Sequence, residues 1–255
     1  MICLLLIVHR VIDGCGLLVV ANREESPRRP SSPVKRRESP GGTPWLGGID
    51  RQAGGTWLGL NAHGLVVAVT NRSIDTPPER PRSRGLLCRD LLDCRSVDEG
   101  TERCLDALAA DVYDGMNIAV MSGETGIVIE AAGEPRLAAI EPGFTCLTNG
   151  LPDEPGDPRI VRVYHEIAEI EILSPRSDWV EWSRRLCGRH AEAGGAALCR
   201  HEPDHQTVSA AVISLADDLD RVGYHAADGP PCRTTFSDYS AEARTLLAEQ
   251  REATL

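Results

Sequence analysis

The chain has 255 residues, 42% of them hydrophobic, with 27 basic against 38 acidic side chains and a net charge of -11. That apolar content can build a packed core and excludes a disordered or collagen-like chain. The acidic balance leaves no domain-wide basic field for phosphate backbones, so no nucleic-acid partner is expected. Nine cysteines without a Cys-x-x-Cys pair argue against a disulfide framework or a zinc knuckle and fit a reducing cytoplasm. The longest apolar run, residues 1–8, is far below the roughly 20 residues of a membrane-spanning helix. No positive charge precedes it, so no signal peptide is expected.

In chain order, residues 2–8 and 17–21 are apolar runs rich in β-branched side chains on either side of Asp13-Gly14, which predicts a buried hairpin. Residues 26–44 (SPRRPSSPVKRRESPGGTP) turn to Pro, Arg, Ser and Gly and are expected to form a long exposed loop. Residues 54–59 and 65–69 read as strand, turn, strand. Segments 84–94 and 97–110 carry apolar residues at helical spacing, with Ser96 as cap of the second, and should pack on one sheet face. Strands are expected at 118–121, 127–131, 136–140 and 144–148, forming an antiparallel meander. Helices follow at 159–173 and 179–189, a strand at 206–215 and a closing amphipathic helix at 239–252. The order is that of an α+β protein in which helices cover stacked antiparallel sheets. No repeat or Gly/Ser linker divides it, so residues 1–255 are expected to form one domain.

His201-Glu202-Pro203-Asp204-His205 matches the His-Glu-x-x-His zinc-protease pattern letter for letter. That pattern needs a helix to bring both imidazoles onto one face, and Pro203 inside the turn costs about 3 kcal/mol or more. A polar loop leading into the strand at Thr207 is expected instead. There is no Gly-x-Ser-x-Gly elbow, phosphate-cradling loop or dinucleotide fingerprint.

Cys3 stands at the start of the first strand, and a polar cluster, Asn22-Arg23-Glu24-Glu25, ends the second. Two more strands end in Thr70-Asn71 and Thr148-Asn149. Strand ends are where a scaffold presents polar groups to a cleft. The same residues have structural readings: Cys3 as a small buried hydrophobe, the two asparagines as turn caps, Arg23 and Glu24 as an internal salt bridge, and Trp57 as core. Arg233 is a late arginine that could meet a substrate carboxylate.

On Asn22-Arg23-Glu24-Glu25, Gly54-Gly55-Thr56-Trp57-Leu58-Gly59, His63-Gly64-Leu65 and Leu147-Thr148-Asn149-Gly150, the chain resembles the NRDE family, also called the transport and Golgi organisation protein 2 family. That family is similar to N-terminal-nucleophile hydrolases, such as penicillin V acylases and bile-salt hydrolases. The resemblance implies a four-layer αββα sandwich of antiparallel sheets. It implies Cys3 as nucleophile and Glu24 where those hydrolases carry an Asp near the amine. Asn71 and Asn149 would position substrate or stabilise an oxyanion, and Asn22 and Arg23 would contact substrate. No metal or cofactor is expected, and the partner is a small-molecule substrate or ligand.

The implied activity is a cysteine amidohydrolase acting on non-peptide C–N amide bonds. The alternative is a ligand-binding or trafficking protein that holds an acyl, lipid or haem-like ligand in the same cleft without catalysis. The reaction needs the nucleophile's own α-amine, with a pKa of about 7.7–8.0, to take the thiol proton and later protonate the leaving amine. Family members usually begin Met-Cys, whereas here Met1 and Ile2 precede Cys3. Ile2 is too large for ordinary methionine removal, so exposure of Cys3 by that route is not expected, which favours the binding alternative. The retained Cys3, Glu24 and paired asparagines favour the enzyme.

Overall fold

The computed structural model describes residues 4–169, 176–191 and 195–254. Its first strands, β1 (Leu4–Ile12) and β2 (Cys15–Glu25), form the expected hairpin, with Leu4 opposite Asn22 and Ile12 opposite Cys15. Gly14 makes the turn at φ +62°, a conformation open to glycine because it lacks a Cβ. Leu6, Ile7, Leu17, Leu18 and Val19 are all fully buried, which is why the two runs are apolar throughout instead of alternating.

The chain then builds a second compact unit from Arg29–Ile140, to which residues after Ser240 return. Its first strands are β3 (Ser31–Glu38) and β4 (Pro44–Asp50). The stretch 26–44, expected as an exposed loop, therefore contains a strand. The physical reason is that an edge strand pairs on one side only. β3 buries Val34 alone, so Pro33, Lys35 and Arg36 face outward without disturbing the ladder, and their charge discourages a further strand from adding.

After β5 (Leu58–Asn61) and β6 (Val66–Asn71) come the helices α1 (Arg84–Leu91) and α2 (Val97–Ala110). Gly55 is dictated by α1: a Cβ there would lie 2.2 Å from the backbone of Gly85. Ser96 caps α2 as expected, its hydroxyl accepting from Glu99 N at 3.1 Å. The strands β7 (Met116–Met121), β8 (Gly126–Ala131) and β9 (Arg136–Ala139) complete a seven-stranded antiparallel sheet whose order follows the chain from β3 to β9. Leu87 and Leu91 of α1 and Cys104 of α2 pack with Val67, Ile118 and Val120 of this sheet, and Trp57 lies half-buried against the same core.

β10 (Gly143–Leu147), expected as the fourth strand of the meander, leaves it and pairs with β1, Leu147 lying opposite Leu5. Gly143, at φ +144°, begins the strand after Pro142. Hydrophobic pattern says which residues a strand buries but not which sheet accepts it. Back in the first unit, α3 (Pro158–Ala168) starts with Asp157 as cap and proline in the first turn, and α4 (Arg176–Cys187) follows. Residues 170–173, expected to continue the first of these helices, lie outside the described residues.

β11 (Gln206–Ala216) pairs along nearly the whole of β2, and β12 (Gly223–Ala227) and β13 (Ser237–Asp238) finish a six-stranded antiparallel sheet ordered β10-β1-β2-β11-β12-β13. Leu4, Leu6, Leu18, Val20 and Val212 pack with Ile160, Val163, Trp179 and Leu186 of α3 and α4. The closing helix is α5 (Ser240–Thr254), tied to β3 by the Arg36–Glu249 pair at 2.5 Å. Two antiparallel sheets, each with helices packed on it, make this an α+β fold. Among the described residues no helix is long and apolar enough to cross a membrane.

Candidate active site

Alternation along β2 sorts its polar end onto two faces. Asn22 and Glu24 share the face of Leu18 and Val20, which meets α3 and α4, while Arg23 and Glu25 take the other. Arg23 therefore does not pair with Glu24. Its guanidinium lies 3.8 Å from Glu25, because residues one apart on a strand point in opposite directions and residues two apart do not.

Asn22 is fully buried and donates through Nδ2 to Cys187 O (2.9 Å) and Leu198 O (2.8 Å). It thereby fastens the end of α4 and the segment leading toward β11 to the end of β2. Glu24, also fully buried, has arginines from two elements. Arg159, in the first turn of α3, places Nη1 3.5 Å from both carboxylate oxygens, and Arg200 places Nη1 3.8 Å from Oε2. Burial pushes the Glu24 carboxyl up to about 8, against the pull of Arg159 and Arg200 in the other direction.

Arg159 also reaches Asn149, donating from Nη2 to Oδ1 at 3.4 Å, and lies 3.5 Å from Asp157. Asp157 accepts from the Thr148 hydroxyl at 2.6 Å and from Arg159 N at 2.8 Å. Although burial works against its charged form, these bonds hold its carboxyl below the usual carboxylate range. Asn149, Arg159, Arg200 and Glu202 line a cavity of about 550 Å³.

The structure thus joins Glu24 and Asn149, which sequence had singled out separately, through Arg159, which it had not. Cys3 lies outside the described residues, one position before Leu4. Asn71 ends β6 in the second unit, opposite Met116. Arg233 is exposed in a turn closed by its own N–H on Pro230 O (3.1 Å). Residues 201–205 form the expected loop before β11. The helix expected from residue 159 does place Arg159 in its first turn, but nothing local in the sequence ties Arg159 or Arg200 to Glu24.

The fold is that of the N-terminal-nucleophile hydrolases. It is shared with the Caenorhabditis elegans ortholog of N-acylethanolamine-hydrolyzing acid amidase (TM-score 0.57, 14% identity, 86% of this chain and 96% of that one). It is shared also with penicillin V acylase from Agrobacterium tumefaciens (TM-score 0.56, 12% identity, 92% and 86%). The model of the family Transport and Golgi organisation 2 matches residues 2–174, and the chain belongs to this family. Relatives include the Transport and Golgi organization protein 2 homolog of Bos taurus, 31% identical over 149 residues, 54% of this chain and 52% of that protein. The Mus musculus homolog is 32% identical over 150 residues, with the same shares. The chain spans about half the length of the curated relatives it matches.

Proposed function

We propose that the first unit carries the site of a cysteine amidohydrolase acting on a non-peptide C–N amide, with Cys3 as its nucleophile and residues 1–255 acting as one domain. The observation that supports this most is the buried Glu24, which lies behind Arg159, itself lining a cavity together with Asn149. Structural neighbours named as an amidase, an acylase and, in Clostridium perfringens, a conjugated bile acid hydrolase make amide cleavage the reading consistent with the fold.

In this reading the α-amine of a terminal Cys3 takes the thiol proton, and the thiolate attacks the substrate carbonyl carbon. As the C–S bond forms and the C–N bond breaks, the same amine returns the proton to the leaving nitrogen. Water then cleaves the thioester to a carboxylic acid and restores the thiol. Arg159 donates to Asn149 Oδ1 beside the cavity, and Asn149 takes the oxyanion-stabilising role the family resemblance implies. Glu24 and Arg200 set the charge around the amine, and Asn22 and Arg23 shape the adjoining strand end. A reducing compartment such as the cytoplasm suits this chemistry, since the thiol must stay free.

Intact-mass measurement of the purified chain tests the requirement first. The hydrolase reading requires loss of Met1 and Ile2 by a cleavage other than ordinary methionine removal, iodoacetamide labelling at Cys3, and acyl-amide turnover abolished by Cys3→Ala. Retention of both residues with Cys3 unlabelled at neutral pH would sink the hydrolase reading. Saturable binding of an acyl, lipid or haem-like probe, unchanged in Cys3→Ala, would then establish the non-catalytic alternative.

A further inference from the structure

Away from Glu24, four side chains from three separate segments of the first unit converge. His190 follows the end of α4, Cys199 and His201 lie just before β11, and Cys232 sits in the turn after β12. All four donor atoms lie within 4.8 Å of one another. His201 Nε2 is 3.2 Å from His190 Nε2, 3.3 Å from Cys232 Sγ and 3.6 Å from Cys199 Sγ.

The backbone arranges this meeting. Arg189 O accepts from both Leu198 N (3.0 Å) and Cys199 N (2.8 Å), which brings His190 beside Cys199. Cys199 lies at a bend two residues before His201, and their Sγ and Nε2 atoms come within 3.6 Å. Pro230 O accepts from Arg233 N (3.1 Å) and Thr234 N (3.0 Å), shaping the turn that carries Cys232. That turn rests against Gly188, where a Cβ would stand 3.4 Å from Cys232 Cα.

Hydrogen bonding alone does not account for the cluster. A single ring nitrogen offers one proton or one lone pair, yet His201 Nε2 faces three partners at contact distance. A tetrahedral zinc ion has Zn–S bonds of about 2.3 Å and Zn–N bonds of about 2.0–2.1 Å, which put neighbouring donors about 3.3–3.8 Å apart. The three contacts at His201 lie within about 0.3 Å of those edges.

We propose that His190, Cys199, His201 and Cys232 bind one zinc ion in a closed Cys₂His₂ site. Two thiolates and two neutral imidazoles balance its charge. Four protein ligands leave no position for water or substrate, so the ion is a structural clip joining α4, the approach to β11 and the 230–234 turn. Arg200, between two of the ligands, is one of the two arginines that reach Glu24, so the clip also fixes one side of the candidate active site. The inference does not depend on amide hydrolysis. It departs from the sequence expectation of no metal, because the Cys-x-His pair finds its partners far along the chain. The resemblance to His-Glu-x-x-His is incidental, since His201 pairs with Cys199 and not with His205.

The test is a titration of the full chain, purified under reducing conditions and stripped with a chelator, using cobalt(II) and then zinc. One equivalent of cobalt should give tetrahedral ligand-field and thiolate-to-cobalt charge-transfer absorption, displaced by one equivalent of zinc. Cys232→Ser and His190→Ala, at exposed positions, should each weaken zinc binding by roughly 100-fold or more, exceeding the loss from removing a ligand's hydrogen-bond partner. Should either variant fold poorly, the wild-type melting temperature, lowered by chelation and restored by zinc, serves as the readout. Absence of thiolate-to-cobalt absorption, full affinity in both variants, or a melting temperature indifferent to chelation would overturn the proposal. So would a Cys199–Cys232 disulfide in a chain that binds no zinc once reduced.

Discussion

Each unit buries an asparagine at the end of a strand and uses it to hold the end of a helix, but the two are completed differently. In the second unit Asn61 donates to Leu92 O (3.0 Å) and Cys94 O (2.7 Å), and its Oδ1 accepts from His63 N (3.0 Å) and Leu65 N (2.9 Å). Every capacity of that amide is spent on the local turn and the end of α1. In the first unit Asn22 makes the same pair of donations to Cys187 and Leu198, while its Oδ1 has no hydrogen-bond partner among the described residues. Two positions on, Glu24 is buried between two arginines, whereas Asp93, an acid with a buried side chain beside the Asn61 contacts, has a single arginine at 3.5 Å and accepts from Ser39 and Gly41. One device closes a structure, and the other stands beside concentrated, incompletely neutralised polarity.

Cavity size would point the other way. The second unit has a larger hollow, about 810 Å³, lined by His63, Asp93, Arg95, Glu99 and Arg103. Its most buried acid, Asp93, is already engaged by the Ser39 hydroxyl and by Gly41 N (2.9 Å). A buried carboxyl displaced from its ordinary titration range is a better marker of chemistry than volume.

The contrast can be broken by substitution. The largest stability effect is expected from Glu24→Ala, which leaves the enclosed Arg159 Nη1 without its carboxylate, only Asn149 and Asp157 remaining to Nη2, and should cost about 3 kcal/mol in denaturant unfolding. Asn61→Ala should follow at about 2–3 kcal/mol, since it strands two carbonyls and two N–H groups. Asn22→Ala should cost less, about 1–2 kcal/mol, because only its donor half is used. An Asn22 effect larger than that of Asn61 would show that the two amides do not differ as described.

The pH dependence sharpens the same point. With its folded pKa raised from 4.5 to about 8, Glu24 binds a proton in the folded chain where the unfolded chain has released it. Its contribution is therefore full below about 4.5 and is lost as pH rises toward 8, at no more than about 1.4 kcal/mol per pH unit. Glu24→Gln, which mimics the protonated carboxyl, should flatten the fall in stability between those limits. An unchanged slope would place the charge on Glu24 throughout. The smallest effect is expected from Glu249→Ala, which removes the exposed pair with Arg36 and should leave the melting temperature unmoved, more so in high salt.

Much of this architecture was legible in the chain. The β1–β2 hairpin was readable because its apolar runs flank Asp13-Gly14, and α2 because Ser96 precedes a helical repeat. β3 was hidden by prolines and arginines that only an edge strand accommodates. β10 was found as a strand but assigned to the wrong neighbours, since pairing partners far apart in sequence leave no periodic trace. The site divides the same way. Asn22, Glu24 and Asn149 announce themselves at strand ends, whereas Arg159 matters through a contact 135 residues distant from Glu24. The Cys199-x-His201 pair was visible, but His190 and Cys232 join it only in three dimensions.

The most direct measurement is the mass of the intact chain before and after brief reaction with an acyl-amide substrate, quenched in acid. Cleavage through Cys3 predicts a chain beginning at Cys3 that gains the mass of one acyl group, with the adduct mapping to that residue and vanishing on further incubation. A chain that retains Met1 and Ile2 and acquires no acyl group, while still binding the substrate, would contradict it.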